Sequence, residues 1–160
     1  MLTPAQLATL KADILADPVL AALPANSDGA WEIARVYNLE ASPEWIVWKT
    51  DVDPEDIMRN GMDWTRVDNL SVGKARIWDW MTKLGVFNAS KANIRSGIDA
   101  VWVGTSADLA VRALVYTHCK RAATRIEKLF SSGTGTDGSP ATMVFEGQIS
   151  YPDVLDARNS

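Results

Sequence analysis

Between Ser106 and Phe130 an apolar residue returns on nearly every helical turn, so that Leu109, Ala113, Tyr116, Ala123, Ile126 and Phe130 share one broad face. A helix of that length acts as a spine, and it restricts the chain to a mainly α fold, a small helical bundle around one long helix over about 106–130. Shorter helices are signalled on the way to it. Thr3, Pro4 and Gln6 form a cap, a first-turn proline and a capping-box partner for a helix running to about Ala16. Asp17-Pro18 restarts a turn of helix, Asn26 to Gly29 is a loop or cap, and Ala30 to Leu39 places Trp31, Ala34 or Arg35 and Asn38 at helical spacing. Asp53-Pro54-Glu55 opens a helix that Asn60-Gly61 closes, and Met62 to Leu70 is a linker. Ser71 caps a helix through about Leu84, with Ile77, Trp80, Met81 and Leu84 on one face and Gly85 as its stop; Asn88 to Gly104 holds another. Only Trp45-Ile-Val-Trp48, after the break at Ser42-Pro43, reads as an extended segment or short strand.

After Phe130 the character changes. Ser131 to Pro140 consists almost wholly of Ser, Gly, Thr, Asp and Pro, which reads as a flexible loop or hinge. Thr142 to Glu146 is strand-like, and Ser150 and Pro152 open a last short helix over Tyr151 to Arg158. The chain therefore divides into a helical domain over 1–131 and a hinge with an extended docking tail over 132–160. In that tail Thr142, Val144, Phe145, Ile149 and Tyr151 are the candidate contacts with a neighbouring subunit or docking partner, with Thr142 to Glu146 pairing along an exposed edge.

With 160 residues, 47% of them hydrophobic, the chain is long enough for one core, yet it carries seven tryptophans. A domain of this size hides only a few indole rings completely, so some are expected to meet another chain, with Trp45, Trp48 and Trp64 as the interface candidates. A net charge of -4 argues against free nucleic acid or an anionic membrane as the main partner. The single cysteine, Cys119, permits no internal disulfide and suits a reducing compartment. The N-terminal segment has no basic region followed by an apolar run, and no later stretch is apolar enough to span a bilayer. An intracellular or particle-borne protein is expected.

Patterns that carry chemistry elsewhere fail here on context. Gly133-Thr-Gly135-Thr-Asp-Gly138 has the glycine spacing of a dinucleotide loop, but it follows a helical stretch and leads into Ser139-Pro140 with no βαβ unit after it. Ser71-Val-Gly-Lys74 matches the serine and lysine of acyl-enzymes without their other motifs, and Ser71 reads as a cap. Asp51, Asp53, Glu55 and Asp56 lack the glycine and the terminal glutamate of a calcium loop. His118 and Cys119 are adjacent on a helical stretch, so their side chains diverge and neither chelate together nor form a nucleophile and base. The expectation is no catalytic residue, no metal and no cofactor.

Arg121, Arg125 and Lys128 lie at i, i+4 and i+7 of the long stretch, opposite its apolar face. The stripe is either a solvated face or a surface that meets phosphates or an acidic neighbour; repeated around the axis of a ring it would make a positive collar although each subunit is acidic.

Three blocks, Val67-Asp-Asn-Leu-Ser-Val-Gly-Lys-Ala-Arg-Ile-Trp78, Gly97-Ile-Asp-Ala-Val-Trp-Val-Gly-Thr105 and His118-Cys-Lys-Arg-Ala-Ala-Thr-Arg-Ile-Glu-Lys-Leu-Phe130, resemble tailed-bacteriophage structural proteins. The architecture is similar to the head-to-tail adaptors, small helical bundles with a long central helix and an extended tail. The resemblance implies a non-enzymatic virion subunit of the neck, assembled in the host cytoplasm as a ring, a dodecamer, below the portal. It implies contacts with the portal protein, with tail or nozzle proteins and, non-specifically, with DNA in the channel. A head decoration or tail-completion protein has the same composition, and a small DNA-binding regulator is the rival of another class. The regulator would bind free duplex with a steep salt dependence.

Overall fold

The computed structural model describes residues 1–83 and 85–160. It is mainly helical with a few short strands. Along the chain come α1 (Pro4–Ala16), α2 (Pro18–Ala21), α3 (Ser27–Tyr37), β1 (Ile46–Trp48), α4 (Pro54–Arg59), α5 (Trp64–Asp68), α6 (Val72–Lys83), α7 (Ala92–Val101) and α8 (Ser106–His118). They are followed by β2 (Lys120–Ala122), α9 (Arg125–Leu129), β3 (Ser131–Ser132), β4 (Thr142–Met143) and α10 (Tyr151–Asn159). Side-chain caps set most helix starts. Thr3 with Gln6, Thr105 with Asp108 and Thr124 with Glu127 each form a reciprocal capping box, and Ser150 donates to the Asp153 carboxylate at the start of α10. Asp17 ends α1 and also accepts from the amides of Val19 and Leu20 to begin α2.

The chain forms two compact units, Met1–Ile46 with Ala122–Ser160, and Val47–Arg121. In the first, α1, α3, α9 and α10 enclose Leu10, Ile14, Ile33, Tyr37, Ile126, Val154 and Ala157. In the second, α4, α6, α7 and α8 enclose Ile57, Trp78, Ile98, Val101, Trp102, Val111, Val115 and Cys119. The unit boundaries fall inside β1 and β2, which pair with each other.

The expected spine helix over 106–130 does not form. Helix α8 ends at His118 with Cys119 as its cap, and α9 starts afresh at Arg125. The amide of Ala123 donates to Trp45 O at 2.8 Å and its carbonyl accepts from Ala41 N at 2.9 Å, so the intervening backbone bonds across to another segment and not up its own helix. Tertiary pairing overrides local helical preference here, and the Thr124–Glu127 capping box gives the restart.

The expected hinge is an ordered hairpin. Ser131 pairs with Met143 and Ser132 with Thr142, antiparallel, and Thr136 bridges to Ser139. Ile46 N donates to Gly135 O, Ala141 N donates to Ile46 O, and Gly135, Pro140 and Ala141 are buried. The division at 131/132 therefore does not describe the structure: residues 132–160 belong to the first unit, and α10 lies in its core. The expected linker Met62 to Leu70 also carries a helix, α5, capped by Asp63. Leu84, placed on the apolar face of α6, lies outside the described residues.

Candidate functional site

The face of α3 that turns inward carries Ala30, Ile33 and Tyr37, all buried. The next stripe round the same helix, Trp31, Ala34, Arg35 and Asn38, forms one wall of an open groove of about 470 Å³. Gln148 to Tyr151 form the facing wall, and a single side chain fixes its position. Asn38 Nδ2 donates to Ile149 O at 2.8 Å, and Asn38 Oδ1 accepts from Ile149 N at 3.0 Å, so the amide takes the place of a strand neighbour. Ser150 then turns the chain into α10, with its N–H and hydroxyl both donating to Asp153 Oδ2. The result sets Trp31, Leu39 and Tyr151, exposed to 60%, 53% and 46%, around one apolar depression. Arg35 on its rim is bound by Glu32, whose carboxyl the guanidinium holds below the ordinary glutamate range. Large apolar side chains gathered around a concavity mark a docking surface, whereas the same residues scattered singly would mean little.

Of the basic residues expected to form a stripe, Arg121 falls in the non-helical stretch between α8 and α9, while Arg125 and Lys128 share α9. Arg121 is in β2, a half-buried strand residue. Arg125 is engaged inside the first unit: it contacts Asp17 at 3.1 Å and Asp13 at 3.2 Å, and its guanidinium lies 4.5 Å over the Tyr37 ring. Tyr37 in turn donates its hydroxyl to Asp13, and burial together with that carboxylate pushes the phenol well above its usual range. Lys128 lies 5.0 Å over the Trp45 ring. Both line a second open cavity of about 730 Å³, but Asp13 and Glu40 line it too, so it presents mixed charge and no positive track.

The candidate aromatics divide in the same way. Trp45 is half-buried, donating Nε1 to Ser131 Oγ at 2.9 Å above Gly135, and Trp48 is half-buried between Tyr116 and the Arg95 guanidinium. Both are held within the fold, and of the three only Trp64 is exposed, at 58%. Among the tail residues Thr142 is paired in β4, Phe145 packs edge-on against Phe130 at 5.7 Å and Ile149 is buried, which leaves Val144 and Tyr151 exposed. The exposed edge expected of Thr142 to Glu146 is already partnered through Thr142 and Met143 by Ser131 and Ser132.

Two exposed tryptophans were not anticipated, Trp31 and Trp80. The signal was present for Trp31, because Trp31, Arg35 and Asn38 recur at i, i+4 and i+7. For Trp80 the spacing misleads, since Trp78 and Met81 of α6 point inward and Trp80 faces the other way.

Among the described residues no group of His, Cys, Asp and Glu is placed to hold a metal ion, and no helix is long and apolar enough to cross a membrane. Cys119 is buried in the second core, where desolvation pushes its thiol up to about 12 and leaves it inert as a nucleophile. Comparison of the chain with protein-family models, with curated proteins and with solved structures finds no match.

Proposed function

We propose that this chain is a non-catalytic structural subunit of a tailed-phage particle, a head-to-tail adaptor that works by docking on copies of itself and on its neighbours in the neck. The observation that carries the docking reading is the apolar groove between α3 and Gln148–Tyr151, with Trp31, Leu39 and Tyr151 exposed around it. Exposed aromatic rings beside a rigid concavity are the usual anchors of subunit interfaces. The narrower placement in a phage neck rests on the resemblance of the blocks 67–78, 97–105 and 118–130. Arg125 and Lys128 support a DNA-channel role less well than the groove supports docking, because both are engaged with neighbours of their own unit.

The test is the copy number of this protein relative to the major shell protein in purified particles, by quantitative mass spectrometry. A single ring's worth of copies is expected. Hundreds of copies would make it a shell-decorating protein, and absence from the particle would overturn the structural reading.

A further inference from the structure

The two units differ in charge. The first contains five Lys and Arg against eleven Asp and Glu, a net of -6, while the second contains eleven against nine, a net of +2. The groove belongs to the acidic unit. The basic unit carries an apolar ridge along the exposed side of α6. There Trp78 and Met81 are buried, Val72 and Trp80 are exposed on the outward side, with Trp80 at 65%, and Ile77, 36% exposed, sits at the edge facing Gly97 of α7. Ile77 and Trp80 are i, i+3 neighbours, and Arg76, one turn before Trp80, is exposed beside them.

We infer that the α6 ridge of one copy docks in the Trp31–Leu39–Tyr151 groove of the next, so that copies associate head to tail. The inference rests on the reading of the chain as an assembling subunit and names the surfaces that perform the assembly. The net charges of the units disfavour one alternative, groove against groove. Groove against groove would bring two units of net -6 together, whereas ridge against groove sets a net positive unit on a net negative one. A contact between two different patches is heterologous, and repetition of it generates a ring where the rotation closes and a filament where it does not. The occupant also fits the concavity chemically. An indole flanked by an aliphatic residue, a guanidinium and the exposed Asp79–Lys83 ion pair presents a flat apolar body with a polar edge, which suits a depression lined by Trp31, Ala34 and Tyr151. One aromatic anchor buries about 150–250 Å², well under the roughly 800 Å² per partner of a standard interface, so each contact is weak and assembly depends on concentration.

The experiment is analytical ultracentrifugation of the full chain from about micromolar to millimolar concentration, for the wild type, Trp31→Glu and Trp80→Glu. Both substitutions sit on exposed helical positions, and an unchanged circular dichroism melt checks the fold. The wild type is expected to assemble, and each variant to need about tenfold or more higher concentration, as loss of an aromatic hot spot requires. The decisive arm is the equimolar mixture. Trp31→Glu keeps its ridge and Trp80→Glu keeps its groove, so the mixture should stop at a species of twice the monomer mass. A wild type that stays monomeric overturns the inference, as does a change in shape independent of concentration. Assembly of either variant at the wild-type concentration, or a mixture no larger than its components, also overturns it. Those results leave the placement in the particle to stand or fall on copy number alone.

Discussion

Gly135 shows how one residue decides whether a polar stretch is loose or fixed. Its φ is +63°, and a Cβ added there would lie 2.1 Å from the nearest Trp45 ring atom. The glycine is present because an indole rests on it, with Ile46 N bonded to its carbonyl, and the surrounding Ser and Thr give no hint of either contact. Gly135→Ala is expected to cost about 2–4 kcal/mol, the left-handed backbone and the overpacking acting together, and to red-shift the tryptophan emission as Trp45 is displaced. Denaturant titration followed by fluorescence reads both effects. Asp17 decides the acid limit of the same unit. The Leu20 amide, with help from Arg125, holds its carboxyl below the ordinary aspartate range. A carboxylate depressed in the folded state stabilises it above the unfolded pKa of about 4, and that contribution is lost as pH falls through the folded value. Asp17→Asn should therefore melt below the wild type at pH 7, and the gap between them should close as pH falls below about 4. A gap that persists at pH 2 would mean that Asp17 acts through cap geometry and not through charge.

At the scale of elements, the helix starts were legible wherever a side chain makes them. Thr3, Asp17 and Asp53 cap the helices that their prolines announce, and Gly61 closes α4 with a φ of +99°. The break in the 106–130 stretch was written in the same code, since Thr124 and Glu127 have the spacing of a capping box. It is hidden because the apolar period runs across it unbroken. What makes the period misleading is the pairing of Ala123 with Trp45 and Ala41, far away in sequence, which no local window contains. The tail was misjudged for a related reason. Helix α10 is short and four of its nine residues are Asp, Arg or Asn, yet Val154 and Ala157 are fully buried, and Arg158 donates to the carbonyls of Leu23 and Pro24. Removal of residues 151–160 is accordingly expected to expose Leu10, Ile14 and Ile33 and to unfold the first unit. Far-UV circular dichroism should fall by more than the signal of the deleted helix; a loss limited to that helix would show that the tail only docks.

At the scale of the whole molecule, the boundary expected from composition and the boundary present in the structure lie at different places. Composition changes most at Ser131, where the hairpin begins, whereas the chain passes between units inside β1 and β2, two short strands of ordinary residues. The first unit is built from both ends of the sequence, and the second is one continuous segment set between them. Each has its own buried cluster, Leu10, Ile33, Tyr37 and Val154 in one, Ile57, Trp102, Val111 and Val115 in the other, and neither cluster contains a residue of the other unit. Two cores of this kind open as separate cooperative units when each is stabilised mainly by its own buried side chains. Val115 and Val154 are both fully buried, so truncation of either to alanine removes about 1.5–3 kcal/mol from its own core. Native-state hydrogen exchange should then show Val115→Ala accelerating the amides of α7 and α8 about ten- to a hundredfold while those of α1, α3 and α10 keep their wild-type rates. Val154→Ala should do the reverse. If either variant accelerated all these helices equally, the two clusters would be opening together, and the cooperative unit would be the chain as a whole.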